Sequence, residues 1–200
     1  MAKERLKSPR ARLFIALDLP DRVREGIVSW GEGELADPAL RVVPSENLHF
    51  TLAFLGYHPE KEIAAVAAIV HATVADAPEI ELLADPVGRP KGRRPRLFAI
   101  GARSEQTVAI QAEIEARLVA ERLYKPEKRP FWPHLTVARV RNEKGRGKRP
   151  RQVEKLPGPL PAALLEPFRG VRVALYRSIL RREGAEYVPL AQLELPARAD

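Results

Sequence analysis

A mixed fold of α-helices and β-strands built from two like halves is what this sequence predicts, and three observations carry the prediction. Strand and helix signals alternate along its 200 residues. The run Arg-Leu-Phe occurs at residues 12–14 and again at 96–98. A His-x-Thr triplet follows each copy at almost the same interval: His49 lies 36 residues after Leu13, and His134 lies 37 after Leu97. Spacing kept this closely points to one strand, helix, strand plan used twice.

Each element has a local reason. Residues 12–19 (RLFIALDL) are a short apolar run stopped by Pro20, which reads as a strand. Val23, Ile27 and Trp30 then recur at helical spacing and predict an amphipathic helix. Residues 59–77 predict an Ala-rich helix opening at Pro59, and residues 79–88 a strand and turn. The second half starts with a strand in RPRLFAIGA. A helix follows that Ser104 can cap, with Val108, Ile110, Ile114 and Leu118 as its apolar positions. PHLTVARV is a strand, RNEKGRGKRPRQ a charged loop, and GVRVALYRSIL and AEYVPLAQLEL are closing strands.

Composition narrows the function. Hydrophobic residues form 45% of the chain, enough at this length for one domain with a sizeable core, so global disorder is excluded. There is no cysteine, which rules out disulfides, thiolate metal sites and a cysteine nucleophile. A net charge of +8 and a pI near 10.0 favour a polyanionic partner: RNA, DNA or an anionic membrane surface. The amino-terminal apolar stretch is too short for a signal-peptide core, and no run approaches the ~20 residues of a membrane span. A soluble cytoplasmic protein is the expectation.

Residues 46–55 (ENLHFTLAFL) hold the polar interruption of a strand that otherwise reads as core. Alternation puts Leu48, Phe50, Leu52 and Phe54 on one face and His49, Thr51 and Ala53 on the other. HLTVA repeats this, with Leu135 and Val137 opposite His134, Thr136 and Ala138. Each strand thus presents an imidazole beside a hydroxyl. Of the four histidines, a third, His71, also begins such a triplet. It falls in a predicted helix, where residues two apart point about 200° away from each other and cannot act together. His58, at a predicted turn before that helix, reads as a solvated or capping residue.

Two imidazoles and two hydroxyls with no accompanying carboxylate suit phosphoryl transfer at an activated diester. One neutral histidine takes a proton from water while one protonated histidine gives a proton to the leaving oxygen. A hydroxyl beside each donates to a non-bridging oxygen and holds the phosphate in line. Either motif alone is better read as an ordinary half-exposed histidine; the matched pair favours shared chemistry. Residues 89–96, 125–134 and 139–151 cluster Lys and Arg with Gly or Pro, as phosphate-contacting loops do, although charge runs are commonly plain solvated surface. Phe131 and Trp132, next to His134, are candidates to stack on a terminal base, against the simpler reading that they belong to the core.

Through RLFIALDLP, ENLHFTLAFLG, RPRLFAIG, FWPHLTVAR and VALYRSIL, which span nearly the whole chain, the sequence resembles the 2H phosphoesterase superfamily. It is most similar to the LigT-like RNA 2′,3′-cyclic phosphodiesterases, also described as 2′-5′ RNA ligases. The resemblance implies an α+β fold of two pseudo-symmetric lobes, each an antiparallel sheet with flanking helices, facing a central cleft. It further implies a single bilobal domain over residues 1–200 with repeats at about 12–58 and 96–142.

The implied activity is metal-independent hydrolysis of a terminal RNA 2′,3′-cyclic phosphate to a 2′-phosphomonoester, with no cofactor. Matched residue by residue, His49 is the proton donor to the departing 3′ oxygen and His134 the acceptor from water. Thr51 and Thr136 match the phosphate-binding hydroxyls, and Arg139 is a further phosphate ligand. Arg139 shares a face with Thr136 only where a bulge shifts the strand, since the two are three apart. The implied partners are RNA ends, tRNA fragments among them, with no membrane and a monomeric state. Two other readings use the same residues: a ligase joining 2′-5′ ends, and a non-catalytic module that binds RNA ends. A pure binder has no chemical need for two proton-transfer groups.

Overall fold

The structure, a computed structural model, describes residues 9–73, 75–145, 149–181 and 184–196. In chain order it runs β1 (Arg10–Asp18), α1 (Asp21–Glu34), β2 (Leu40–Val42), a 3₁₀ turn (Ser45–Asn47), β3 (His49–Pro59), a second 3₁₀ turn (Glu60–Glu62) and α2 (Ile63–His71). Then come β4 (Glu79–Leu82), β5 (Val87–Arg89), β6 (Leu97–Arg103), α3 (Glu105–Ala120), β7 (His134–Val140), a third 3₁₀ turn (Ala162–Leu164), β8 (Phe168–Arg169), β9 (Arg172–Leu180) and β10 (Ala185–Glu194). Every ladder among the described residues is antiparallel. The α+β class with antiparallel sheet is therefore as expected.

The strands form one path, β10-β9-β1-β3-β7-β6-β4-β8, with β2 added to β7 and β5 to β6. Among the described residues its two halves meet at the pair Phe50 with Leu135. The assignment of strands to halves crosses the chain order. β2, from the first His-x-Thr half, pairs with β7, while the late strands β9 and β10 extend the sheet from β1. Leu13, Ile15 and Leu17 of β1 enter the main core, and Phe14 and Ala16 on its other face pack with Ala174 and Tyr176 in a smaller cluster. Both faces of β1 are buried, which is why the run reads as continuously apolar.

The helices follow their apolar stripes. Val23, Ile27 and Trp30 of α1 are buried as predicted, and the Trp30 indole donates to the Pro159 carbonyl at 3.1 Å. Ser104 caps α3 by accepting from the Thr107 amide at 3.1 Å. The buried stripe of α3 is Thr107, Ile110, Gln111, Ile114 and Leu118, and Val108 is 42% exposed. A position one residue past Thr107 is rotated by about 100° from the stripe, so Val108 points outward despite its chemistry. α2 covers only Ile63–His71 of the predicted 59–77, since residues 60–62 form a 3₁₀ turn; beyond its end Thr73 is buried and its hydroxyl donates to the Ile69 carbonyl at 3.1 Å. His71 is exposed while Thr73 is buried, so the third triplet is not a shared site. His58 lies in β3 rather than at a turn, and it pairs with Glu62 at 2.8 Å.

One expectation fails where it matters. Strict alternation places Phe54 in the core with Leu48, Phe50 and Leu52, yet it is 43% exposed, and Ala53 is buried instead. Along β1 and β3, Ile15 faces Ala53 and Ala16 faces Thr51, so Leu52 is an extra residue in β3. A bulge of this kind reverses the alternation beyond it. A second shift passes Leu55 and is followed by Gly56, whose φ of +73° lies in the left-handed region that favours glycine.

Candidate active site

A second bulge gives β7 the same form. Phe98 faces Ala138 and Ala99 faces Thr136, leaving Val137 as the extra residue. Val137 and Ala138 are both buried, and Arg139 turns back to the face of His134 and Thr136. The condition for Arg139 to join the site is met. The two strands now correspond position by position: His49, Thr51 and Phe54 on β3 match His134, Thr136 and Arg139 on β7.

Opposed residues in an antiparallel pair point to the same side. Phe50 and Leu135, the bridging pair, are both fully buried, so their neighbours are all sent to the opposite face. His49, Thr51, His134, Thr136 and Arg139 accordingly line one pocket at the bridge. Arg12, Phe14, Asn47, Phe54 and Tyr187 line it as well, none of which the sequence places at a site.

Both imidazoles are held in the same way. His49 Nδ1 lies 2.8 Å from the Asn47 carbonyl, and His134 Nδ1 lies 2.7 Å from the Trp132 carbonyl, in each case two residues upstream. A carbonyl only accepts, so Nδ1 carries the hydrogen and Nε2 is the reactive nitrogen. His49 Nε2 is 3.0 Å from the Thr51 hydroxyl, which donates to it. Ring contacts fix the planes. His49 stacks on Phe14 at 4.9 Å and meets Tyr187 edge-on at 5.4 Å; Trp132 lies over His134 at 4.4 Å with an interplanar angle of 11°. A Cβ on Gly101 would come within 3.3 Å of the Trp132 indole nitrogen, so glycine there lets the indole lie flat.

Burial pushes the His49 imidazolium down to about 4; the Asn47 carbonyl and Asp18 oppose this, and Arg24 and Arg139 add to it. Burial also lowers His134, opposed by the Trp132 carbonyl and reinforced by Arg89. Both rings are thus neutral in the free protein at pH 7. Asp18, 2% exposed, sits opposite His49 in the sheet. It accepts from Arg172 at 2.5 Å and from the Tyr176 hydroxyl at 2.7 Å, and Arg24 is 3.8 Å away. Arg24 in turn donates to the Ser45 and Leu48 carbonyls at 2.8 and 2.6 Å, bracing the turn that aims Asn47 at His49. Asp18→Ala leaves Arg24 and Arg172 without their shared carboxylate, and a stability loss of about 3 kcal/mol is expected in urea unfolding.

The basic loops are partly self-paired. Arg94 pairs with Glu143 at 2.5 Å, Arg149 approaches Glu143 at 3.5 Å, and Arg141 donates to the Leu40 carbonyl at 3.1 Å. Residues 146–148 of the charged loop lie outside the described residues. Phe131 packs against the main core, and Trp132 is occupied by His134 and by the Arg89 guanidinium 4.3 Å from its ring centre. The simpler reading of Phe131 as a core residue holds, and the Trp132 ring is taken up by His134 and Arg89 rather than offered to a base. Among the described residues no three His, Asp or Glu side chains cluster as a metal site, and no helix is long and apolar enough to cross a membrane.

Known proteins are similar to this chain in sequence and in fold. A family model described as the 2′-5′ RNA ligase superfamily matches residues 19–178. The RNA 2′,3′-cyclic phosphodiesterase of Escherichia coli is 35% identical over 66% of this chain and 73% of its own. That of Thermus thermophilus is 30% identical over 92% of this chain and 90% of its own. Among solved structures, a Thermus thermophilus protein superposes with a TM-score of 0.73 at 27% identity, covering 94% of this chain and all of that one. Escherichia coli LigT complexed with 3′-AMP gives 0.72 at 25%, over 94% and 99%. With the family model matching well over half its length and relatives aligned along most of theirs, this chain belongs to the 2′-5′ RNA ligase superfamily.

Proposed function

We propose that this protein is an RNA 2′,3′-cyclic phosphodiesterase that opens a terminal cyclic phosphate to a 2′-phosphomonoester without a metal. The observation that carries the reading is the matched pair of imidazoles. Each has Nδ1 tied to a carbonyl two residues upstream, and both share one pocket with two hydroxyls and Arg139. The names of the curated relatives support the same chemistry.

In this reading His134 Nε2 takes a proton from water as the water oxygen bonds to phosphorus, in line with the departing 3′ oxygen. The P–O3′ bond breaks and His49 gives its proton to O3′, leaving the phosphate on O2′. Thr51, Thr136 and Arg139 hold the non-bridging oxygens, where negative charge builds. His49 is neutral in the free protein, so it gains its proton as the phosphodiester anion binds beside it, favouring an imidazolium. Asp18 supports that charge on the His49 side, and Arg89 keeps His134 neutral on the other. In this reading the two repeats form one bilobal domain that works as a monomer. The finer reading keeps RNA ends in the cytoplasm, tRNA fragments among them, as substrates. Ligation with the same residues is the less favoured alternative.

The test is incubation with an oligonucleotide ending in a 2′,3′-cyclic phosphate in excess chelator, with the product mapped. A 2′-phosphate product supports the reading; no opening, or opening only with added divalent ion, overturns it. The pH dependence follows from the depressed imidazoles. The donor must be protonated, so kcat/KM, which reports the free enzyme, is expected to peak below the ordinary imidazole pKa of ~6.5 and to fall as pH rises. The kcat profile is expected to peak at higher pH, because the bound anion raises both imidazoles. A kcat/KM optimum above pH 7.5 would contradict this. Because His49 has a lower pKa folded than unfolded, its contribution to stability is full above ~6.5 and is lost as pH falls toward 4.

A further inference from the structure

The face of β1 and β3 that leads away from the catalytic pair carries features that the phosphodiester chemistry does not use. The two bulges in β3 turn Phe54 and Tyr57 onto the face of His49 and Thr51, and they are 43% and 58% exposed. Tyr57 is directly opposite Arg12, and Arg10 lies two residues further along the same face of β1. The Arg12 guanidinium sits 4.6 Å from the Phe54 ring centre and is braced by the Ser178 hydroxyl at 2.5 Å; Arg10 donates to the Tyr57 carbonyl. Among the described residues neither arginine carries an ion pair. Starting at the pocket, the strip reads Phe54 and Arg12, then Tyr57 and Arg10.

The pseudo-twofold match sharpens this. Where β7 sends Arg139 into the pocket, β3 sends Phe54. One half of the site offers a cation, suited to phosphate oxygens, and the other an exposed aromatic face, suited to a base.

We propose that Phe54 and Tyr57, flanked by Arg12 and Arg10, form a stacking track for the single-stranded 3′ end of an RNA whose terminal phosphate lies between His49 and His134. The inference rests on the reading of the site as a cyclic phosphodiesterase and extends it to the nucleotides upstream of the reacting phosphate. Exposed rings beside arginines that carry no ion pair among the described residues match the alternation of base and phosphate along a single strand, whose bases are unpaired and available to stack. A duplex hides its base faces and gains nothing from the rings. The track also breaks the twofold ambiguity of the site: with the nucleoside on the Phe54 side, its departing 3′ oxygen is nearest His49, and water approaches from the His134 side.

The experiment measures the Kd of a short single-stranded oligoadenylate ending in a 2′-phosphate, a product that cannot turn over, at fixed low salt. Phe54→Ala and Tyr57→Ala are each expected to weaken binding about 10-fold, the size of a lost base–aromatic stack. Tyr57→Phe is expected to stay within about twofold of wild type, since the ring is kept. Both positions are exposed, and thermal unfolding checks that the variants fold. Unchanged affinity in both alanine variants overturns the proposal, as does equal binding of a blunt RNA duplex by wild type. So does a loss confined to Lys125→Ala and Lys128→Ala, which would place the strand on the opposite lobe. Opening of a small cyclic mononucleotide by wild type is followed separately. If that fails while the ring variants lose affinity, the catalytic reading falls and the track stands; if it succeeds while they bind normally, the track alone falls.

Discussion

His49→Ala and His134→Ala are each expected to lower kcat for opening of a 2′,3′-cyclic phosphate by at least ~10²-fold, the usual contribution of a general acid or base. The expectation rests on what each ring alone supplies. Once Asn47 and Trp132 have taken the two Nδ1 hydrogens, His49 Nε2 and His134 Nε2 are the imidazole nitrogens left to move protons in the pocket. The double variant is expected to lose little more than the worse single one, because the two groups act in one step and their effects do not add. Thr51→Ala and Thr136→Ala should cost less individually, and His71→Ala, on the exposed end of α2, should be silent. Steady-state kinetics on a cyclic mononucleotide decide the matter. Activity surviving both histidine substitutions removes the mechanism, and a large effect at His71 restores the discarded triplet.

Arg139→Met is the second large effect, an expected fall in kcat of about 10²-fold with a smaller change in KM, as for a lost donor to charge that builds in the transition state. Methionine keeps an unbranched apolar stem of similar reach, so the bulge after Thr136 has no reason to relax and the loss reports the guanidinium. The substitution also carries an internal check. Arg139 is one of the charges that lower the His49 imidazolium, so its removal should move the alkaline limb of kcat/KM, where the donor loses its proton, upward in pH. A loss of rate with no movement of that limb would place Arg139 on the phosphate but out of electrostatic contact with His49.

The bulges show where reading stops. Alternation put His49 and Thr51 on one face and His134 and Thr136 on one face, and that was right because both triplets precede their bulges. It put Phe54 in the core, and that was wrong because Leu52 is an extra residue. The signal was present: a bulge was already needed to bring Arg139 round to Thr136, and the same offset of five residues from the histidine, applied to the first motif, leads to Phe54. Trp132 and Phe131 were correctly noticed beside His134, but the indole stacks on that histidine and the Phe131 ring packs on the core.

By itself the sequence determined most element types, the two polar triplets, the Ser104 cap and the residues proposed for catalysis, since these depend on local period, turn chemistry and residue identity within a few positions. Tertiary structure alone decided that β2 crosses to β7, that Phe50 and Leu135 form the bridge that, among the described residues, brings the triplets into one pocket, and that Asp18, held near Arg24, lies opposite His49. Those pairings join residues far apart in the chain. Their register depends on which strand edges are free and on single inserted residues that change the face of everything beyond them, and a one-residue shift of that kind leaves almost no trace in the hydrophobic pattern.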